Sequence, residues 1–111
     1  MAQNHAQSGQ VISVLPLGEQ LKDAKTTAIL KAVQLEVVRL VLPAGKEWTE
    51  HKAPGEITVL CIEGSIEFRT LGVLQVLNPG DFIFLRSEEP HALRAIVDAS
   101  ALLTMCIAVP H

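Results

Sequence analysis

The chain has 111 residues, 49% of them hydrophobic, with nine Lys and Arg against twelve Asp and Glu and a formal net charge of −3. This length makes one domain, and the acidic balance, the 4% aromatic content and the lack of any Lys/Arg cluster argue against nucleic-acid binding. No segment is long and apolar enough to span a bilayer, and Met1 to Gln10 is polar without an apolar stretch, so no membrane partner and a cytoplasmic location are expected.

In chain order, residues 1–10 read as a flexible tail and residues 11–111 as the single domain. Val11 to Leu15 has the composition of a short edge strand. Gly18 to Ala24, GEQLKDA, suits one helical turn, the sole helix expected. From Thr26 onward the signals are strands and turns. Strands are expected at 27–32, 34–42, 57–63, 65–70, 73–77, 81–85, 91–97 and 100–108, with a further strand running from Gly45 to His51. The turns fall at 42–45, 53–55, 63–64, 78–80 and 87–90. Pro followed by Gly suits a type II turn, because Pro fixes φ and Gly accepts a positive φ. Many short strands with regular turns predict an all-β sandwich or barrel.

Alternation along a strand decides which side chains share a face. After Gly45, Thr49 and His51 are expected to project together, with Trp48 and Glu50 on the opposite side. This favours an interface for Trp48, the one Trp of the chain, with a place in the wall of a ligand pocket beside His51 as the alternative. In the strand opened by His91, Leu93 and Ala95 share the histidine's face, which their apolar character marks as inward, and Arg94 points away. Arg39, within VVRLVL, reads as a surface residue with a buried stem. Cys61 and Cys106 each lie in an apolar strand pattern and are expected as buried, reduced thiols.

These residues give the chain its family resemblance. GKEWTEHKAPGEITVLCIEG, Gly45 to Gly64, and NPGDFIFLRSEEPH, Asn78 to His91, each place a Pro-Gly turn beside an apolar strand and a histidine. The chain resembles the cupins, the double-stranded β-helix or jelly-roll barrels, over roughly residues 30–108. The family's first motif runs Gly, five residues, His-x-His, three or four residues, Glu, six residues, Gly. Gly45 opens it here, His51 fills the second histidine and Gly64 closes it, while Thr49 stands in place of the first histidine. Asn78-Pro79-Gly80-Asp81 and His91 correspond to the second motif.

The resemblance implies a site for Fe, Mn, Ni or Zn built from three histidines and one glutamate. Of these, His51 and His91 are retained. Glu56 has a permitted spacing from His51 but lies one residue early when counted back from Gly64, where Ile57 takes the position. A one-residue shift reverses a strand side chain, so Glu56 joins the site only if a bulge turns it inward. Two imidazoles alone hold a divalent metal weakly, and the candidates for a third ligand are Glu56 across a bulge, Glu50 if the loop turns it, and Cys61 from the barrel wall.

Three functions are carried forward. The first is a small cupin binding a small organic molecule in its barrel, with His51, Thr49 and His91 at the mouth. Trp48, Cys61, Val59, Leu93 and either Phe82 or Ile83 are the remaining candidates for the pocket. The second is a metal-dependent enzyme, dioxygenase- or isomerase-like, using His51 and His91. The third is a structural dimerisation unit with a filled barrel. Each histidine alone is better explained as a rim residue bonded to a neighbouring strand, and their matching motif positions raise a functional site to an equal alternative. His5 and His111 are terminal and expected in solvent. The apolar composition also predicts a homodimer through strand 34–42 or the N-terminal strand.

Overall fold

The computed structural model describes residues 5–107. A short 3-10 helix, Gly18–Asp23, precedes nine strands: β1 Thr27–Lys31, β2 Leu35–Leu42, β3 Glu47–His51, β4 Ile57–Glu63, β5 Ile66–Thr70, β6 Val73–Leu77, β7 Phe82–Leu85, β8 His91–Ala95 and β9 Ala99–Cys106. They form two antiparallel sheets, one of five strands in the order β1-β2-β9-β4-β7 and one of four in the order β3-β8-β5-β6. Among the described residues no helix is long and apolar enough to cross a membrane.

The sheets face each other because alternate residues on each strand are apolar. Leu40 and Leu42 of β2, Val59 and Cys61 of β4, Ile66 and Phe68 of β5, and Ala99 and Ala101 of β9 are all almost fully buried between them. Burying such side chains is worth roughly 1.5–3 kcal/mol each for the larger ones. Cys61 belongs to this core, whereas Cys106 is exposed. The reading of both thiols as buried is corrected by the register: Cys106 lies opposite Leu35 and not on the inward row of Leu103 and Met105.

The turns set the strand ends. In Asn78–Asp81 the Asp81 N–H donates to the Asn78 carbonyl (2.8 Å), the Asn78 N–H donates to Asp81 Oδ2 (2.8 Å), and Gly80 has φ +92°. A positive φ after Pro79 is what a type II turn requires. Gly55 has no such φ. Its role is close approach: a Cβ there would run into the Cys106 carbonyl. Tight packing, not turn type, explains the glycine after Pro54.

The strand expected at Val11 to Leu15 is not formed. This segment is an arm held at points, not along a ladder. Ala6 N–H bonds to the Ile29 carbonyl (2.8 Å), and Arg39 Nη1 donates to the Leu15 carbonyl (3.1 Å). Leu17 and Gly18 N–H donate to the Glu63 carboxylate at 2.9 and 3.1 Å.

Glu63 can do this because of a β-bulge. Cys61 pairs Ala101 and Glu63 pairs Ser100, so two residues of β4 advance against one of β9. The extra residue, Ile62, turns Glu63 from the inward row of Cys61 to the outer row of Ser100. There its carboxylate also accepts from the Ser100 hydroxyl. Partial burial pushes the Glu63 carboxyl up. The Leu17 N–H, the Ser100 hydroxyl, the Gly18 N–H and the nearby Arg39 outweigh that, and the net shift is below its ordinary value.

Candidate functional site

His91 opens β8, directly after Pro90, and shares its face with Leu93 and Ala95. It is 4% exposed. Its Nδ1 lies 3.0 Å from the Glu89 carbonyl, and its ring stacks on Phe68 with centroids 5.6 Å apart and planes 7° from parallel. Thr70, its register partner, donates its hydroxyl to the Pro90 carbonyl (2.9 Å) and fixes the entry to the strand. Desolvation pulls the His91 pKa below its ordinary value. The Glu89 carbonyl opposes this and the neighbouring His51 adds to it. His91 is therefore neutral at pH 7.

His51 ends β3 and pairs directly with His91. The two rings have centroids 4.3 Å apart and planes at 58°. His51 Nδ1 lies 2.9 Å from the Thr49 carbonyl. A carbonyl only accepts, so each Nδ1 carries its proton in these bonds, and the neutral His91 ring keeps its Nε2 lone pair for something else.

A second bulge brings His51 to this position. Trp48 pairs Leu93 while His51 pairs His91, so three steps along β3 match two along β8. The simple alternation expected here is overturned: Trp48 and His51 lie on one side, and their rings meet edge to face at 6.3 Å. Trp48 packs against the core, whereas Thr49 is exposed and stands on the open outer surface beside Lys46 and Glu47. Thr49 serves through its backbone carbonyl and not as a side chain at the mouth.

Below the histidines lies a cavity of about 270 Å³. Trp48 and Leu93 wall it on one sheet, and Leu40, Ile57, Val59, Leu103 and Met105 on the other. Ala53, Pro54 and Lys52 form its rim. The rim loops are tied by a bond from Glu88 N–H to the Ala53 carbonyl (2.8 Å). A larger hollow of about 420 Å³ lies under the N-terminal arm, but it brings together no pair of histidines or carboxylates.

Val59 and Leu93 are thus in the wall, as the strand pattern indicates. Cys61 is not: it follows Val59 on the same row, but at the far, filled end of the barrel, with Sγ 3.6 Å from the Glu63 carbonyl. Burial pushes its thiol pKa up, with Asp81 and Glu63 adding to the effect and the bond to the Glu63 carbonyl opposing it, so it stays protonated. Phe82 is 61% exposed on the outer face, and Ile83 is half-buried against the core without reaching the cavity.

Glu56 is exposed, and Ile57 stands in the wall. The Cys106 N–H bonds to the Glu56 carbonyl (2.8 Å), so the β4–β9 register runs unbroken from Thr58 back through Glu56. Unbroken register puts Glu56 on the outer face with Thr58. The bulge that would have turned it inward is absent at this point and present at the other end of the strand.

The donor set decides whether the four-ligand centre implied by the resemblance fits. Among the described residues no three His, Cys, Asp or Glu side chains converge as a metal site. Thr49 and Ile57 occupy two of the four places, the first exposed and the second apolar. The residues present do not fit a resident Fe, Mn, Ni or Zn ion, which needs three or four protein ligands for stable binding.

Comparison with known proteins agrees with this geometry. No curated protein matches the chain. A conserved protein of unknown function from Streptococcus pyogenes has a similar structure, with TM-score 0.78 and 21% identity, over 99% of this chain and 100% of that one. A cupin superfamily protein from Desulfitobacterium hafniense matches with TM-score 0.73 and 14% identity, over 89% of this chain and all of its own. A variant of salicylate 1,2-dioxygenase from Pseudoaminobacter salicylatoxidans matches with TM-score 0.63 and 22% identity, over 66% of this chain and 21% of that larger one. At such identities the likeness is one of fold alone. Residues 38–108 match the family described as Cupin domain, well over half the chain and both histidine-bearing segments. The chain belongs to the cupin domain family.

Proposed function

We propose that the protein binds a small organic molecule with an apolar body and one hydrogen-bond-donating end. The carrying observation is an apolar cavity of about 270 Å³ under two imidazoles whose Nδ1 protons are already committed to backbone carbonyls. An apolar cavity of about 150 Å³ is enough for benzene, so this one has room for a ring and a polar substituent. The Nε2 lone pairs of His51 and His91 accept from that substituent, and the apolar wall takes the body. The cavity also speaks against a filled barrel acting only as a structural unit.

The test uses simple alcohols and phenols as probes, with their methyl ethers as controls, in ligand-observed NMR. Saturable binding is expected for the hydroxyl compounds. His91→Phe keeps the volume and removes the acceptor, and should weaken hydroxyl probes roughly 2- to 12-fold, the range of about 0.5–1.5 kcal/mol for one neutral hydrogen bond. Leu103→Phe, which takes up part of the cavity, should weaken binding of both classes. Equal affinity for ethers and alcohols, or binding untouched by Leu103→Phe, would remove the reading.

A further inference from the structure

The N-terminal arm is fastened at two places and spans the distance between them. At its start the Ala6 N–H bonds to the Ile29 carbonyl (2.8 Å) on β1, the edge strand of the five-stranded sheet. At its end Arg39 holds the Leu15 carbonyl, and Glu63 holds the Leu17 and Gly18 N–H groups. An arm that only covered the sheet edge would lie along it. This one bridges a hollow of about 420 Å³. Small-molecule sites commonly run from about 300 to 1,000 Å³.

Register explains what faces the hollow. Thr27 pairs Arg39, and Ala28 pairs Val38, which packs on the core, so Thr27 and Arg39 point to the outer face. The register then slips: Leu30 pairs Val37, and Ile29 is an extra residue of β1. This bulge leaves Ile29 in the hollow with Thr27. Lys25, two residues before Thr27, reaches the same side.

The lining joins apolar surface from Ile12, Leu17 and Ile29 to two cations, Lys25 and Arg39, and among the described residues no carboxylate lines it. Neither cation belongs to an ion pair among the described residues. Arg39 gives only Nη1 to the Leu15 carbonyl, so its Nε and Nη2 hydrogens remain. These two nitrogens share one edge of the guanidinium, the edge that takes a carboxylate through two parallel bonds. Glu63 lies near enough to feel Arg39, but its oxygens are already taken by Leu17, Gly18 and Ser100. Its charge offsets part of that of Arg39, which suits a monoanion better than a phosphate dianion.

We propose that the hollow under the arm is a second binding site, for a small monocarboxylate with an apolar body. Its carboxylate sits on Arg39 and Lys25, and its body lies against Ile12, Leu17 and Ile29. No lining residue is shared with the barrel cavity, so the two sites are independent.

Amide-resolved NMR of the full chain, with octanoate as the probe, tests the proposal. Octanoate should shift the Leu17, Thr27 and Ile29 amides saturably and leave the Trp48 indole N–H, in the barrel wall, unmoved. Octanamide has the body without the charge, and acetate the charge without the body. Each should bind at least roughly 10-fold more weakly. Arg39→Gln should weaken octanoate by a similar factor, but it also frees Leu15 from its tie. Lys25→Gln, at an exposed position outside that tie, should weaken octanoate roughly 2- to 5-fold with an unchanged circular dichroism spectrum. Leu103→Phe, in the barrel, should leave octanoate binding as it is. Octanoate shifts that follow Trp48 and spare Ile29 would overturn the proposal. So would octanamide binding as tightly as octanoate, or octanoate binding indifferent to Lys25→Gln.

Discussion

Two bulges, one at each end of the barrel, do the same mechanical thing with opposite chemical results. In β3 the extra residue before His51 turns an imidazole to the barrel's mouth, where it stays exposed on its outer side and lies against His91. In β4 the extra residue before Glu63 turns a carboxylate outward, onto Leu17, Gly18 and Ser100. The carboxylate is saturated by its partners: three donors and a nearby cation hold it in the charged form. The imidazoles each have Nδ1 bonded, and both rings border a cavity lined mostly by apolar residues. The Glu63 end is therefore a closed structural clasp, and the histidine end is a site with acceptors to spare. A bulge re-aims a side chain, and what surrounds its new direction decides whether the result is fastening or function.

The sharpest way to break this contrast is to give the histidine end a third polar group. Ile57→Glu places a carboxylate in the cavity wall at the one cupin ligand position that is apolar here. Without metal the buried charge is uncompensated, and a loss of about 3–5 kcal/mol is expected, read by urea denaturation. With Zn2+ the same variant should regain much of that stability through a three-ligand site, whereas the wild type should show little change in its unfolding midpoint on adding Zn2+. Strong Zn2+ stabilisation of the wild type would instead mean that the two histidines recruit a ligand from elsewhere.

The converse change opens the clasp. Glu63→Ala leaves two backbone N–H groups and the Ser100 hydroxyl without their acceptor. Bonds to a charged acceptor are worth more than neutral ones, but this carboxylate keeps contact with water, so a cost of about 1–2 kcal/mol is expected. Amide exchange separates this from a general loss of stability. Leu17 and Gly18 should exchange much faster while Phe68 and Val59 in the core keep most of their protection. Uniform loss across the barrel would show that the arm is integral to the sheets and not fastened onto them.

Most of the architecture was legible because period-two burial and Pro-Gly turns are local signals. Eight of the nine strand assignments from Thr27 onward depend only on them, and Leu93 and Ala95 place His91 inward on its own strand. The bulges were not legible, since a bulge is a mismatch between partners distant in sequence, and alternation read along one strand cannot register it. The cost fell on β3, where Trp48, Thr49 and His51 took the wrong relative sides. A signal was present: Trp48 is the one large apolar side chain in EWTEH, and assigning it to the core would have forced a bulge if His51 was to join it. Leu40, Leu103 and Met105 in the wall, and Phe68 stacked on His91, entered the site unannounced, because apolar residues look the same in sequence whether they border a cavity or fill a core. Glu63 escaped notice for the same reason that Trp48 and His51 took the wrong relative sides: its direction is set by a distant strand, at Ser100, 37 residues away.

The smallest expected effect separates the two ends by pH. His91 and Glu63 both have folded pKa values below their ordinary ones, for different reasons. His91 is hard to protonate mainly because it is buried, and Glu63 because its charged form is held by donors. In each case the unfolded chain takes up the proton first as pH falls, so stability is complete above the unfolded value and declines below it. For His91 the decline begins below about pH 6.5, and for Glu63 below about pH 4.3, each with a slope of at most about 1.4 kcal/mol per pH unit. His91→Phe should erase the upper limb alone and Glu63→Gln the lower limb alone, measured as urea midpoints between pH 3 and 8. Binding of a hydroxyl probe should follow only the upper limb, because protonation turns the His91 acceptor into a donor. A binding curve that instead tracked the Glu63 limb would show that the clasp and the cavity are coupled through β4, and the division between fastening and function would not hold.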